Sequence, residues 1–224
     1  MGISYGAMTT PVRTGVERAT LVRRTYLLVS AGIGMTVLGC TLAMSQPSLM
    51  ELVARHPFLT FLATLAPLMG AQAFRNQFPT NISLVLLFTL IEGVFIAPFV
   101  YTMERQQPGI ASQAALLTLS SFAVLTTYAF ISRRDFSAWG SYFVVGLWVL
   151  IATSLLNVFF QNATASLWIA GATVLVFSGM LVYDTWRLRN QYGPDDYVVA
   201  AVQIYLDLLN MFMAILRLLG GRRS

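Results

Sequence analysis

Charge is the scarcest commodity in this chain. Only 10% of its 224 residues are Asp, Glu, Lys or Arg, against roughly 25% in a soluble domain. So few charges cannot cover a surface that faces water, so lipid must cover part of it. Lysine is absent, and all 14 basic residues are arginine. There is one cysteine, Cys40, and one histidine, His56. A lone cysteine excludes an internal disulfide, and Cys40 in its apolar run reads as a small hydrophobe. His56, just before Pro57, reads as a loop residue. Without a Cys/His cluster there is no zinc-type site. Without a histidine tied to a nucleophile there is no hydrolytic triad, and no glycine loop shaped for phosphate is present. Neither an enzyme nor a resident cofactor is expected. The net charge of +5 would suit nucleic acid, but the arginines sit in short runs between apolar spans. That placement suits membrane orientation, and no nucleic-acid partner is expected.

Long apolar runs fill the rest. The pattern predicts helices at 26–44, 57–74, 82–103, 110–131, 138–160, 167–187 and 197–219, each near the ~20 residues that a bilayer core requires. Turn and charge signals separate them, among them Gln46-Pro47-Ser48, Gln107-Pro108-Gly109, Arg133-Arg134-Asp135 and Gly193-Pro194-Asp195. Connections this short place successive helices side by side. The expected fold is all-α: a polytopic membrane protein forming one helical bundle. Residues 1–24 form an N-terminal cytoplasmic segment, 25–219 the transmembrane domain and 220–224 a short basic tail. The first apolar run is too long for a signal-peptide core of about 7–15 residues. Small-residue spacings, Ser30 with Gly34 and Gly93 with Ala97, permit close helix contact. Tyr26, Tyr101, Trp139 and Tyr197 fall near span ends, where interfacial aromatics sit.

Arginine placement sets the orientation. With the N-terminus in the cytoplasm, the inside segments hold Arg13, Arg18, Arg23, Arg24, Arg75, Arg133, Arg134, Arg187 and Arg189. The outside loops hold Arg55 and Arg105. Seven full spans leave Arg217, Arg222 and Arg223 outside, whereas a re-entrant last segment would return them inside. The final run is long enough to cross.

Three acids lie within spans: Glu92, Asp184 and Asp207. A central Asp costs about 2.5–3.5 kcal/mol on insertion scales, which the surrounding apolar residues offset. Once inserted, each acid still needs a partner, water or a proton. In the last span Ala200, Gln203, Asp207, Asn210 and Ala214 share one helical face, continued by Arg217. Val199, Val202, Leu206, Leu209 and Met213 lie opposite. The polar face belongs in the bundle interior, as an interhelical hydrogen-bond network or as part of an ion path. Asp184 is either an interfacial acid paired with Arg187 or Arg189, or a functional carboxylate. Arg75 either reaches Asp184 or extends to lipid headgroups. Glu92 is either a packing residue or part of a pathway.

Three stretches resemble the Bax inhibitor family: Phe88-Thr-Leu-Ile-Glu-Gly-Val-Phe-Ile-Ala-Pro98, Val182-Tyr-Asp184 and Gln203-Ile-Tyr-Leu-Asp207-Leu-Leu-Asn210-Met-Phe. Arg24-Thr25-Tyr26 also resembles bacterial members. The resemblance implies a seven-transmembrane-helix bundle with the last helix central. Some bacterial members are pH-sensitive calcium leak channels, and by resemblance Asp184 and Asp207 form the pH sensor here, with Arg75 as latch. The same pair would bind Ca²⁺ transiently, and Glu92, Gln203 and Asn210 would line the ion pathway. Residues 57–74 hold no Asp or Glu where some relatives carry a carboxylate, and Glu92 stands where relatives often have a small residue. The implied partners are the lipid bilayer, Ca²⁺ and protons, in a bacterial inner membrane. The alternative is a non-conducting regulatory protein that binds a membrane protease or a stress-response partner.

The orientation has a direct check. Cysteines placed in the Glu104 and Asn162 loops should be labelled by an impermeant thiol reagent on intact cells, and protection of both would reverse the topology.

Overall fold

The computed structural model describes residues 15–74 and 77–221. Arg75, Arg222 and Arg223 lie outside the described residues. Eight helices follow in order: α1 (Gly15–Ser45), α2 (Pro47–Arg55), α3 (Pro57–Ala73), α4 (Thr80–Gln106), α5 (Ile110–Ile131), α6 (Trp139–Phe160), α7 (Ala163–Asn190) and α8 (Tyr197–Gly221). No strand occurs among the described residues. Lipid offers no hydrogen bonds, so a spanning segment must satisfy its own backbone, and helix does that within one segment.

Six of these helices, α1 and α4 to α8, are long and apolar enough to cross a membrane. The expected span at 57–74 is found as α3, and it is preceded by α2, a short helix where the sequence predicts a connection. The two meet at His56 with a bend of 98°. Each opens on a proline at its first turn, where the missing N–H costs nothing and the fixed φ favours helix entry. The broken element in this chain is therefore the second span. The last, α8, is one continuous helix of 25 residues, about 37 Å long against a hydrocarbon core of about 30 Å.

The helix α8 is central. Of its most apolar stretch 61% is buried, against 6% for α6 and at most 33% for the others that can cross. It packs on α1, α3, α4, α5 and α7. The expected polar stripe is there, with Asp207, Ala200 and Ala214 buried and Gln203 and Asn210 half-buried. The opposite row is covered as well: Val202 is buried, and Val199, Leu206, Leu209 and Met213 are half-buried. Neighbours surround this helix, so its amphipathic pattern does not separate core from lipid. At the other extreme α6 contacts only α7, and Trp148, Leu155, Phe159 and Phe160 are exposed on it.

Closest approach occurs between α1 and α4. A Cβ built on Gly39 would lie 2.1 Å from the carbonyl oxygen of Leu90, and one on Gly93 would lie 2.1 Å from that of Thr36. Each helix thus presents a glycine to the other's backbone, a contact open only to the smallest residue. Ala97, one turn beyond Gly93, is fully buried. The other predicted spacing is not buried: Ser30 and Gly34 are exposed, and a Cβ on Gly34 meets nothing within 4 Å.

Beside this contact, Thr36 ties three helices together. The Tyr205 hydroxyl of α8 lies 2.7 Å from Thr36 Oγ1, and Thr36 Oγ1 is also 3.0 Å from the Thr89 carbonyl of α4. Tyr205 additionally meets Phe88 edge-on at 5.7 Å.

Gly39→Ala and Gly93→Ala should each force α1 and α4 apart, at a cost of about 1–3 kcal/mol. In a chain of this size each kcal/mol lowers the melting temperature by about 2–4 °C. Gly34→Ala should be near neutral. Thermal unfolding in detergent separates the three, and equal behaviour would contradict the interlock.

Candidate functional site

Where α7 ends decides whether Asp184 and Asp207 can meet. Read from sequence, Asp184 is shallow and Asp207 deep, an offset of roughly 9 Å at 1.5 Å per residue. The helix, however, runs on to Asn190. Arg189 fixes that extension: its guanidinium donates to the carbonyls of Phe130 at 2.7 Å and Ser132 at 3.1 Å. These belong to the C-terminal end of α5, where helical carbonyls lack intrahelical donors. The three added residues place Asp184 about 4.5 Å further from the helix end, which removes half of that offset.

Asp184 on α7 and Asp207 on α8 face each other within hydrogen-bond reach. They are 5% and 1% exposed. Ionised carboxylates only accept hydrogen bonds, so a direct bond between the two forms only when one of them carries a proton. No protein donor serves the buried Oδ2 of Asp207.

One cation caps the pair. Arg187, one turn beyond Asp184, brings Nη1 to 3.1 Å from Asp184 Oδ1 and to 3.4 Å from Gln203 Oε1 on α8. Its guanidinium lies over the rings of Tyr183 and Tyr192, at 5.5 and 4.9 Å. Such stacking suits arginine's planar, weakly hydrated charge. The Tyr192 hydroxyl donates to the same Gln203 oxygen. Burial pushes that hydroxyl above its ordinary range, outweighing the nearby Arg187, so Tyr192 stays a donor at physiological pH. The Arg187 side chain is 26% exposed while Asp184 is buried. The cation therefore stands on the solvent side of the acids.

The other predicted residues divide. Gln203 joins the cluster. Asn210 turns its amide onto its own helix, donating to the Leu206 carbonyl at 2.8 Å. Glu92 is half-buried on α4 and lies within reach of the Thr64 hydroxyl of α3. No group of three acidic, histidine or cysteine side chains that could hold a metal occurs among the described residues. Of the two candidate partners for Asp184 on its own helix, Arg187 takes the role and Arg189 caps α5 instead. Arg75, the latch implied by resemblance, falls outside the described residues.

Sequence reasoning missed Tyr192 and Thr64. Tyr26, expected near a span end, packs against Phe122 at 5.9 Å and Phe130 at 6.3 Å, with its hydroxyl near Thr126 and Thr185.

The family model described as inhibitor of apoptosis-promoting Bax1 matches residues 18–224. The chain belongs to the Bax inhibitor family. Members similar to it include protein lifeguard 4 of Mus musculus, 30% identical over 219 residues that cover 96% of this chain and 90% of the mouse protein. Bax inhibitor 1 of Schizosaccharomyces pombe is 31% identical over 218 residues, 95% of this chain and 81% of the yeast protein. The Golgi anti-apoptotic protein of Vaccinia virus (strain Lister) is 39% identical over 145 residues. That match spans 65% of this chain and 60% of the viral protein's length. Family membership and the apolar helices together make the chain a multi-pass integral membrane protein.

Proposed function

We propose that this protein is a pH-sensitive leak pathway for calcium, gated by the Asp184–Asp207 pair, in a bacterial inner membrane with its N-terminus in the cytoplasm. The observation that carries the reading is the placement of two buried carboxyls against each other on α7 and α8, with a guanidinium on their solvent side. Calcium prefers several oxygen ligands. Conduction needs weak binding, so two carboxylates assisted by Gln203 are better suited than a full cage. Glu92 and Asn210 are proposed as further oxygens along the path. No catalysis is proposed.

The sign of the pH response follows from charge. An ionised Asp184 holds a cation in a charge-assisted hydrogen bond: Arg187, with Arg75 proposed as a second latch from the end of α3. Protonation removes the anionic partner and weakens both contacts. Ionisation thus favours the closed arrangement, and acidification shifts the population towards the open one. A second effect opposes this. A fully protonated pair attracts Ca²⁺ less, so flux falls again in stronger acid. The names of the relatives favour a second reading, in which a non-conducting regulator binds a partner such as a membrane protease. Two of those names concern apoptosis: "anti-apoptotic" in the viral case and "Bax inhibitor" in the yeast case.

Calcium flux into proteoliposomes, measured across the carboxylate and histidine titration range, tests the proposal. Wild type should show flux that rises on acidification and passes through a maximum. Asp184→Asn should leak several-fold more than wild type at alkaline pH, with a flattened acid response. Arg187→Gln should also leak at alkaline pH while retaining an acid response. Asp207→Asn should move the response towards acid, because the repelling neighbour is gone. Glu92→Gln should lower flux with the pH profile kept. Identical pH profiles for wild type, Asp184→Asn and Asp207→Asn would return the aspartates to structural hydrogen bonding. A wild type that passes no Ca²⁺ would favour the regulatory reading.

A further inference from the structure

A second cleft, of about 740 Å³, opens beside the starts of α4 and α8, between α1 and the α7–α8 connection. Its polar wall carries Arg24 from α1, Asp195 from the connection, and Asn81 and Tyr197 from the first turns of α4 and α8. Asn81 is 2% exposed, and its amide donates to the Tyr197 hydroxyl at 3.4 Å. The Arg24 guanidinium lies 5.7 Å from the centre of the Tyr197 ring. The other wall is apolar and includes Leu27 and Phe78, which are 60% and 75% exposed.

Two features point to a ligand. Arg24 and Asp195 carry opposite charges in one cleft, yet the ion pairs among the described residues are Arg55–Glu51 and Arg187–Asp184. A cation and an anion held apart across a shared space complement a zwitterion whose charges have the reverse order. The second feature is the exposed apolar wall. It adjoins the lipid-facing surface of α1, so an occupant with both a charged head and a hydrocarbon body fits the whole cleft, whereas a free ion fits only part of it.

We propose that this cleft binds the phosphoethanolamine headgroup of a bilayer phospholipid. Arg24 takes the phosphate, for which the guanidinium fork is suited. Asp195 accepts from the ammonium, and the apolar wall takes the glycerol and the first methylenes. Headgroup chemistry makes the site selective. A choline head has no N–H to donate to Asp195. A glycerol head leaves only the phosphate charge, which Asp195 repels. The bound lipid joins α1 to the starts of α4 and α8, and Tyr197 opens the helix that carries Asp207.

Native mass spectrometry of the full chain tests this directly. Phospholipids with identical acyl chains and ethanolamine, choline or glycerol heads are titrated in turn, with soluble O-phosphoethanolamine as a fourth ligand. The ethanolamine lipid should bind about ten-fold more tightly than the other two, the scale of one charge-assisted hydrogen bond. Arg24→Gln should weaken all three lipids. Asp195→Asn should erase the lead of ethanolamine over choline, and Asp195→Arg should turn the preference to glycerol. Asp195 is exposed and lies outside the helices, so its variants decide the matter even if Arg24→Gln does not fold. Equal binding of all three heads by wild type, or a preference that Asp195→Asn leaves intact, would overturn the proposal. So would soluble O-phosphoethanolamine binding as tightly as the lipid.

Discussion

A carboxyl group deep in a lipid-embedded bundle can be ionised only beside a cation, and two carboxyls in contact need a proton between them. The Asp184–Asp207 contact imposes this condition on α7 and α8, and much of the surrounding structure serves it. The central position of α8 removes Asp207 from water. The extension of α7 to Asn190, held by Arg189 on the end of α5, sets Asp184 deeper within its helix. Arg187 supplies a positive charge from the solvent side, and Tyr192 and Gln203 limit where its guanidinium can go. Of these supports Arg187 alone is an ionic partner, and its removal would leave Asp184 buried without a cation beside it.

The bundle around the pair is uneven. On one flank, α1, α4 and α8 are locked by the Gly39 and Gly93 contacts and by the Thr36 node with Thr89 and Tyr205. Backbone in contact with backbone leaves no room for adjustment, so these three helices form the fixed frame. The second span is built differently. It is broken at His56, carries Pro67 within α3, and packs mainly on α4. A rigid frame thus holds one of the two acids, and a broken helix pair packs against it.

Much of this was legible in the sequence, for physical reasons that differ between elements. Spans announce themselves because lipid demands about 20 apolar residues, and prolines and glycines mark their ends. The α5 boundaries were read without error on those signals. Helix α2 escaped because nine residues between two prolines look like a loop, and Val53 is its one buried residue. The last three residues of α7 escaped because Arg189 and Asn190 look like a connection between spans. Asp184 and Asp207 were legible through what an acid costs inside a membrane. Tyr192, Thr64 and Thr36 were not, since a hydroxyl costs too little to stand out from a helix of mixed composition. The spacing of Ser30 and Gly34 was over-read, because periodicity shows which residues share a face and not what that face meets. Arg187 was legible only as one of two alternatives, each a turn or so from Asp184.

The central claim is that the aspartate pair shares one proton, to which acidification adds another. Infrared difference spectroscopy of the protein in membranes reads this from the carbonyl stretch of protonated carboxyls, on a Glu92→Gln background that removes the other acid within a span. The account predicts one protonated carboxyl at neutral pH, lost when Asp207 becomes Asn and leaves Asp184 ionised beside Arg187, kept but shifted in frequency when Asp184 becomes Asn, and in the unsubstituted pair a second carboxyl band gained in acid. Two fully ionised aspartates at neutral pH, with no carboxyl band sensitive to either substitution, would contradict it.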